Sequence, residues 1–579
     1  MNIKVLLIAL LMPLCAQAQE APTPKWFSKA QKSIVSIIAY DKKREKIHEG
    51  PGYIITADAV AISDYAIFKD AYSAVAVDNS GNQYEVERIL GADNAYGLVK
   101  YRLAAKKTTP LIIASSTAAN RGADVYAVGY TKGKVNVLPK STIEKKDIID
   151  AKYAYYTLAS NFDDKQVGNA IFNAKGELLA IIQSPVNGKA GAVDAAMGRD
   201  LSVAAIQSKA SALAINNIYI KKGLPDSAEE ALVYIFFKSR TASNDEYMDL
   251  VNQFVAAYPD NAEGYQRRAT PLIDLHRFDE ADQDLQTYLK LAVDKEQANL
   301  NIAKTIYSKL VYQPEPKYDR WTYDTAIGYV DDAIAGMKEK LAKETNVDNK
   351  PMMEARILEF RLQKAQMLVS KGDADKALEI YDEVNASENK GPATFFAASM
   401  AHDAAGHAVE KQIEMMDSAI AQFPEPLPQE AATYVMRRAR LYQASGQYRK
   451  AVADFNTFCY LNNNKVSDTF YYDRSQLETE AKMYQQALDD IDLAISNAPE
   501  KPLYYVEKSG LHLRVNQIDE CIQAARKCIE LDPQNSDAYR ILGYAQIQNG
   551  DKTSARANLE KAVQLGDETA QEIIDKYLK

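Results

Sequence analysis

Between Ser160 and Lys165 the chain reads "SNFDDK", a run of groups that could attack a carbonyl, take a proton or share one. Ser160 with Lys165 offers a hydroxyl nucleophile and an amine base, a pairing that some hydrolases use. Asp163 and Asp164 offer two carboxylates, but adjacent residues in extended chain point to opposite faces, so a hydrated turn is expected instead of a shared proton. Histidine is the usual base near neutral pH. Of the five present, only His48 lies outside the helical part of the chain, directly before "GPG" (Gly50–Gly52). A solvated loop histidine is its ordinary reading, and a relocated base the alternative. Cys521 and Cys528 lie ~10.5 Å apart along a helix, beyond the ~7 Å that a disulfide can bridge between Cα atoms. They read as small buried side chains, and so does Cys459, for which an intermolecular disulfide is the alternative. The sequence holds no phosphate loop, nucleotide motif or metal-ligand set, so no cofactor and no metal are expected.

These groups must be held by elements that change character near residue 215. From Lys25 to Ile182, alternating stretches such as "YSAVAVD", "YEVERILG" and "DVYAVGY" are separated by the turns "DNSGN", "YTKGK" and "NAKGE". That is the pattern of an all-β sandwich or barrel. "RDLSVAAIQSKASALA" reads as one closing helix, ending a β domain over residues 25–212. Residues 213–226 form a Gly- and Pro-punctuated linker, and Pro225 reads as the first turn of the helix that follows. Residues 227–579 are helical throughout and repetitive. Tyr471, Tyr505 and Tyr539 recur at a fixed period, as do Ala487, Cys521 and Ala555, and Ala494, Cys528 and Ala562. Upstream, Ala439 with Ala451, Ala365 with Ala377, and Ala269 with Ala281 continue the pattern. About nine helical hairpins are expected, stacked so that neighbours bury the stripe that one pair cannot bury alone.

Two family resemblances follow from these motifs. "AIFN" and "GELLAI" after residue 169 resemble the segment behind the nucleophile of trypsin-like serine proteases, most closely the HtrA type. The resemblance covers roughly residues 30–212 and implies a double β-barrel. It also implies a Ser–His–Asp triad, but Val167 stands in the serine slot, Ala66 in the histidine slot and Ala95 in the aspartate slot. Lys165 occupies the place of an oxyanion-hole glycine. Valine has no nucleophilic atom and alanine can neither take a proton nor orient an imidazole, and loss of a triad costs on the order of 10⁶ in turnover. A pseudoprotease is therefore expected, with no enzymatic activity.

The helical part resembles the tetratricopeptide repeat, with its early aromatic, late small residues and final proline. That resemblance implies an α-solenoid with a concave binding face, and places Met436, Arg440, Tyr472, Gln476, Arg540, Tyr544 and Gln548 on it. Protein or peptide partners are the implied ligands.

"MNIK", the apolar run to Cys15 and "AQA" read as a signal peptide, residues 1–18, cleaved after Ala18. Export to a bacterial periplasm, outer membrane or exterior is expected. Leu14 before Cys15 argues against a lipid anchor. No later run reaches the ~18 apolar residues of a membrane span. A net charge of −9 argues against non-specific nucleic-acid binding, which needs a basic face. The leading expectation is an exported protein-binding scaffold. The alternatives are an endopeptidase using non-standard residues, and a structural protein whose barrel only caps the solenoid.

Overall fold

The computed structural model describes residues 23–115, 117–131, 134–160, 162, 164–186, 189–204 and 209–579. Residues 1–18 with Cys15, the centre of "YTKGK", and Asp163 lie outside the described residues. The chain divides into two compact units, one ending at Ala292 and the other starting at Val293.

In the first unit, period-two alternation produces twelve strands. They are β1 (Ile34–Tyr40), β2 (Lys46–Ile54), β3 (Val60–Asp64), β4 (Ser73–Val77), β5 (Gln83–Asp93) and β6 (Leu98–Leu103). Then follow β7 (Asp124–Thr131), β8 (Lys134–Ile149), β9 (Tyr153–Leu158), β10 (Ala170–Asn173), β11 (Leu178–Val186) and β12 (Lys189–Asp194). The first six close into a barrel in the order β1-β2-β3-β6-β5-β4, and the last six close as β7-β8-β9-β12-β11-β10. Every label in the second order is the first advanced by six, so one topology occurs twice. The turns at "DNSGN" and "NAKGE" form as expected, with Gly81 and Gly176 at φ of 84° and 82°. Before β1, α1 (Phe27–Ala30) is preceded by Trp26, whose ring stacks on Phe172 of the second barrel at 5.2 Å.

Three local expectations are corrected. "GPG" is no turn: Gly50, Pro51 and Gly52 lie inside β2, paired with Ile37, Ser36 and Val35 of β1. Glycine is required there because a Cβ would run into Ile67 at Gly50 and into Tyr101 and Ile37 at Gly52. His48 accordingly sits exposed on a strand opposite Ala39, not in a loop. The closing helix is two helices, α2 (Ala195–Asp200) and α3 (Lys209–Asn216). The first ends because Leu201 turns to φ −59°, ψ 136° and its carbonyl accepts from Lys100 Nζ at 2.8 Å. The Leu201–Ser202 backbone also passes so close to Gly91 that a Cβ there would meet it at 2.7–2.8 Å.

The linker is docked onto the first barrel. Ile89 of β5 donates its N–H to Lys221 and accepts from Gly223, both at 2.8 Å, while Tyr219 N–H bonds to Ala71 at 2.8 Å. Helices α4 (Ala228–Lys238), α5 (Asn244–Ala257), α6 (Ala262–Asp274) and α7 (Phe278–Leu291) complete this unit. Ser227, not Pro225, starts α4, its hydroxyl accepting from Glu230 N–H at 3.2 Å. Arg88 of β5 holds Asp249 of α5 at 2.8 Å.

The second unit is helical. It comprises α8 (Lys295–Tyr312), α9 (Tyr323–Lys343), α10 (Lys350–Lys371), α11 (Ala374–Asn385), α12 (Pro392–Ala404), α13 (Val409–Ile420) and α14 (Ala432–Ala444). It continues through α15 (Tyr448–Leu461), α16 (Asp468–Glu480), α17 (Tyr484–Asn497), α18 (Pro502–Arg514) and α19 (Ile518–Leu531). It ends with α20 (Ser536–Gln548), α21 (Lys552–Gln564) and α22 (Glu568–Tyr577). Taken pairwise from α4 to α21, the helices of both units make nine hairpins, with α22 left over. All the small residues picked out by the repeat pattern, from Ala269 to Ala562, are fully buried.

A buried ion pair recurs within the hairpins. Arg268 grips Asp284 with two bonds of 2.7 Å, Arg438 grips Asp454 at 2.8 and 2.7 Å, and Arg474 grips Asp490 at 2.5 and 2.6 Å. Each pair spans 16 residues and joins the first helix of a hairpin to its second. Glu478, 4% exposed, lies beside the third pair, and burial together with Asp490 raises its carboxyl to about 8.

Removing one member of such a pair strands the other, so Asp284→Ala is expected to cost about 3 kcal/mol by calorimetry of the full chain. Because Glu478 holds its proton more tightly folded than unfolded, it contributes stability that is complete below its ordinary value and lost as pH rises toward 8. Glu478→Gln should therefore flatten the decline of the melting temperature between pH 5 and 8. An unchanged slope would place the titrating group elsewhere.

Candidate functional site

The positions singled out in the β region gather where the two barrels meet. At the end of β3, Asp64 turns the chain into a single 3-10 turn, Tyr65–Ile67, by accepting from Ala66 N–H at 2.7 Å. Asp93 likewise accepts from the N–H groups of Ala95 and Tyr96 at 2.9 and 2.8 Å, folding the loop after β5. Tyr65 N–H then bonds to Gly97 O at 2.9 Å, tying the Ala66 turn to the Ala95 loop.

From the second barrel, the 3-10 turn Asp164–Gln166 delivers Val167 and Gly168 ahead of β10. Gly168, at φ 83°, sits so close to the first barrel that a Cβ there would be 3.1 Å from Asp64 Cβ. Its carbonyl accepts from the buried Tyr53 hydroxyl of β2 at 3.0 Å, and its N–H is spent on Ile182 O. Ala66, Ala95 and Val167 are thus brought to one junction by backbone and carboxylate contacts. Ala66 and Ala95 are exposed and Val167 is half-buried.

Ser160 and Lys165 stand at the two ends of the loop before Val167. Ser160 is half-buried, with its N–H on Ser141 Oγ at 3.1 Å, and Lys165 is exposed. Asp64 was not foreseen. It is 7% exposed, and desolvation raises its carboxyl above the ordinary range, the Ala66 N–H opposing. The legible signal was its position: an aspartate ending a wholly buried strand, immediately before a 3-10 turn.

In the helical unit, the seven groove positions read from the repeat face separate into engaged and open groups. Arg440 bonds Asp473 at 2.8 Å and lies 5.0 Å over the Phe455 ring. Arg540 is held by Asp567 at 2.6 Å and by Asp537. Tyr472 bonds Gln476 at 2.7 Å and packs on Tyr504, while Tyr544 meets Tyr577 edge-on. Met436 is half-buried against the apolar cluster that α12 to α16 share, and Gln548 is exposed.

A groove lies upstream of them in the chain, bounded by α8, α10 and α12. It holds about 430 Å³ and is lined by Tyr307, Gln363, Gln366, Phe396 and Met400, among other uncharged residues. Tyr307 and Ser370 close one side through a 2.9 Å hydroxyl pair. Repeat spacing misses it because α10 runs to 22 residues and breaks the period. The cysteines sit as expected: Cys459, Cys521 and Cys528 are free and buried, and burial lifts the last two thiols to about 12 and 11.

Tetratricopeptide-repeat profiles match residues 503–535 and 524–557, the hairpins from α18 to α21. Over 150 residues the chain is 23% identical to anti-sigma-I factor RsgI9 of Acetivibrio thermocellus, covering 26% of this chain and 21% of that protein. Over 98 residues it is 28% identical to small glutamine-rich tetratricopeptide repeat-containing protein 2 of Mycosarcoma maydis, covering 17% of this chain and 27% of that protein. The chain thus spans only about a fifth and a quarter of these relatives. The C-terminal region carries tetratricopeptide repeats, which suggest a protein–protein interaction scaffold, and it follows an all-β region of two barrels. Among the described residues no helix is long and apolar enough to cross a membrane.

If Asp64 acts as a cap, Asp64→Ala should lower stability by about 1 kcal/mol, whereas Asp64→Asn, which can still accept from Ala66 N–H, should come within about 0.5 kcal/mol of the parent. Equal losses in both, measured by denaturant unfolding, would mean that the carboxylate matters in another way.

Proposed function

We propose that the chain is an exported scaffold that holds a polypeptide segment in the helical groove and has an inactive trypsin-like domain at its N-terminus. The observation that carries the binding part is the groove bounded by α8, α10 and α12. Its uncharged mixture of amides, hydroxyls, Phe396 and Met400 suits a neutral segment, with apolar anchors buried and backbone groups met by Gln363 and Gln366. Arg440 and Arg540, committed to carboxylates of their own chain, fit support of the hairpins better than recognition.

The pseudoprotease part is supported by the doubled six-strand order and by the meeting of Ala66, Ala95 and Val167 at the junction. Two methyl groups and an isopropyl group there supply neither nucleophile nor base. In this reading the domain pairs or caps and does not cut, and export rests on residues 1–18.

Capture from envelope extract of its own organism, with light cross-linking of residues 19–579, should retain intact protein near one-to-one. Phe396→Ala with Met400→Glu should reduce that retention about tenfold or more. Fragments cut at consistent residues, with nothing retained, would instead mean a catalytic centre. Restoring Val167→Ser, Ala66→His and Ala95→Asp together should yield no peptidase activity, because Lys165 occupies the oxyanion loop. Turnover by that variant would refute this view of the junction.

A further inference from the structure

Lys222 lies in the docked linker and is none of the residues of the barrel junction. Its ammonium donates to Ile218 O and to Ile220 O, the latter at 2.6 Å. An ammonium carries three N–H donors, and the third has no acceptor among the described residues. Lys238 and Arg240, at the end of α4, line the same cavity of about 670 Å³. Both cations lie over rings instead of against carboxylates, Lys238 5.6 Å from Tyr234 and Arg240 5.7 Å from Phe236.

The carboxylate in the lining, Glu246, is already occupied by the start of α5, accepting from Ser243 N–H at 3.1 Å and from its hydroxyl at 3.3 Å. Lys221 at the edge pairs with Asp249 at 3.6 Å. Two rings of the wall remain open to solvent, Tyr219 at 52% and Phe237 at 51% exposure. Lys222, Lys238 and Arg240 therefore outnumber the carboxylate that lines this cavity, beside exposed aromatic surface, while Asp245 and Asp249 join Glu246 on the adjoining pocket that Lys222 and Lys238 also line. Glu246 offsets only part of this positive charge, so an added anion is favoured among the half-buried Lys222 and Lys238, and an aromatic wall rewards a flat or apolar neighbour.

We propose that this cavity binds an oxyanion, a carboxylate or a phosphate, carried on an apolar or aromatic group. Lys222 and Lys238 hold the oxygens, Arg240 offers its planar fork at the mouth, and Tyr219 and Phe237 cover the apolar part. Burial, and next to it the charge of Lys238, lowers Lys222 to about 8, the charge of Glu246 opposing. Filling the cavity with an anion favours the charged ammonium, so binding near pH 8 should take up protons.

The test is calorimetric titration of the full chain at low ionic strength with N-acetylphenylalanine, with its uncharged amide, and with inorganic phosphate. The acid should bind about tenfold or more tightly than the amide, the worth of one charge-assisted contact. Proton uptake at pH 8, read by comparing buffers, should vanish in Lys222→Gln. Should that variant fail to fold, Lys238→Gln with Arg240→Gln must weaken the acid by a similar factor. Binding of phosphate but not of the acid would support the oxyanion site and assign its ligand to phosphate compounds. Equal binding of acid and amide, no binding of acid or phosphate, or binding undiminished in the double variant would overturn the proposal.

Discussion

The helical part of this protein depends on how closely two helices can approach. At Ala269, Ala365, Ala439, Ala487, Cys521 and Ala555 the side chain is small and wholly buried, so the helices of a hairpin meet nearly backbone to backbone. A larger group there would force the pair apart and expose the stripe that each hairpin shares with the next. The same approach leaves no room for water around polar groups between the helices. The recurring Arg–Asp grip follows from this constraint: the buried aspartate is tolerated because a guanidinium supplies two parallel bonds. The turn inside each hairpin obeys a related limit. At Gly446 and Gly550 the chain passes through positive φ so that the second helix can fold back at once.

The β region meets a different constraint. Two barrels of one topology must join without leaving polar backbone unpaired at the seam. Asp64 and Asp93 answer it by capping their own loops, and Tyr53 by reaching across to Gly168 O. The resulting junction is held by structural hydrogen bonds of Asp64, Asp93 and Tyr53. Docking of residues 218–223 along β5 extends the first barrel to the helices that follow. The same run brings Lys222 into a confined place beside the cations of α4.

Much of the architecture was legible because it is encoded locally. Period-two alternation gave the strands, Gly81 and Gly176 marked their turns, and the recurrence of Tyr, Ala and Cys marked the hairpins. The misread stretches are those where a distant contact overrides local preference. "GPG" reads as a turn until Ile67 and Tyr101 demand a strand with no side chain, and the helix after Asp194 stops because Lys100 and Gly91 hold Leu201 in extended form. For the groove positions read from the repeat, no spacing rule reveals that Arg440 and Arg540 already have partners.

What the sequence determined by itself is the succession of a two-sided β region and a repetitive helical region, and the absence of a serine, histidine and aspartate from the slots that the resemblance assigns. Those properties follow from periodicity and side-chain type, which need no neighbour to be read. Only the tertiary structure decided that the loops of Ala66, Ala95 and Val167 come to one junction, that a groove lies between α8 and α12, and that Lys222 lines one cavity with Lys238 and Arg240. Each of these joins residues far apart in the chain, and their proximity depends on strand order and helix packing, which no local pattern carries.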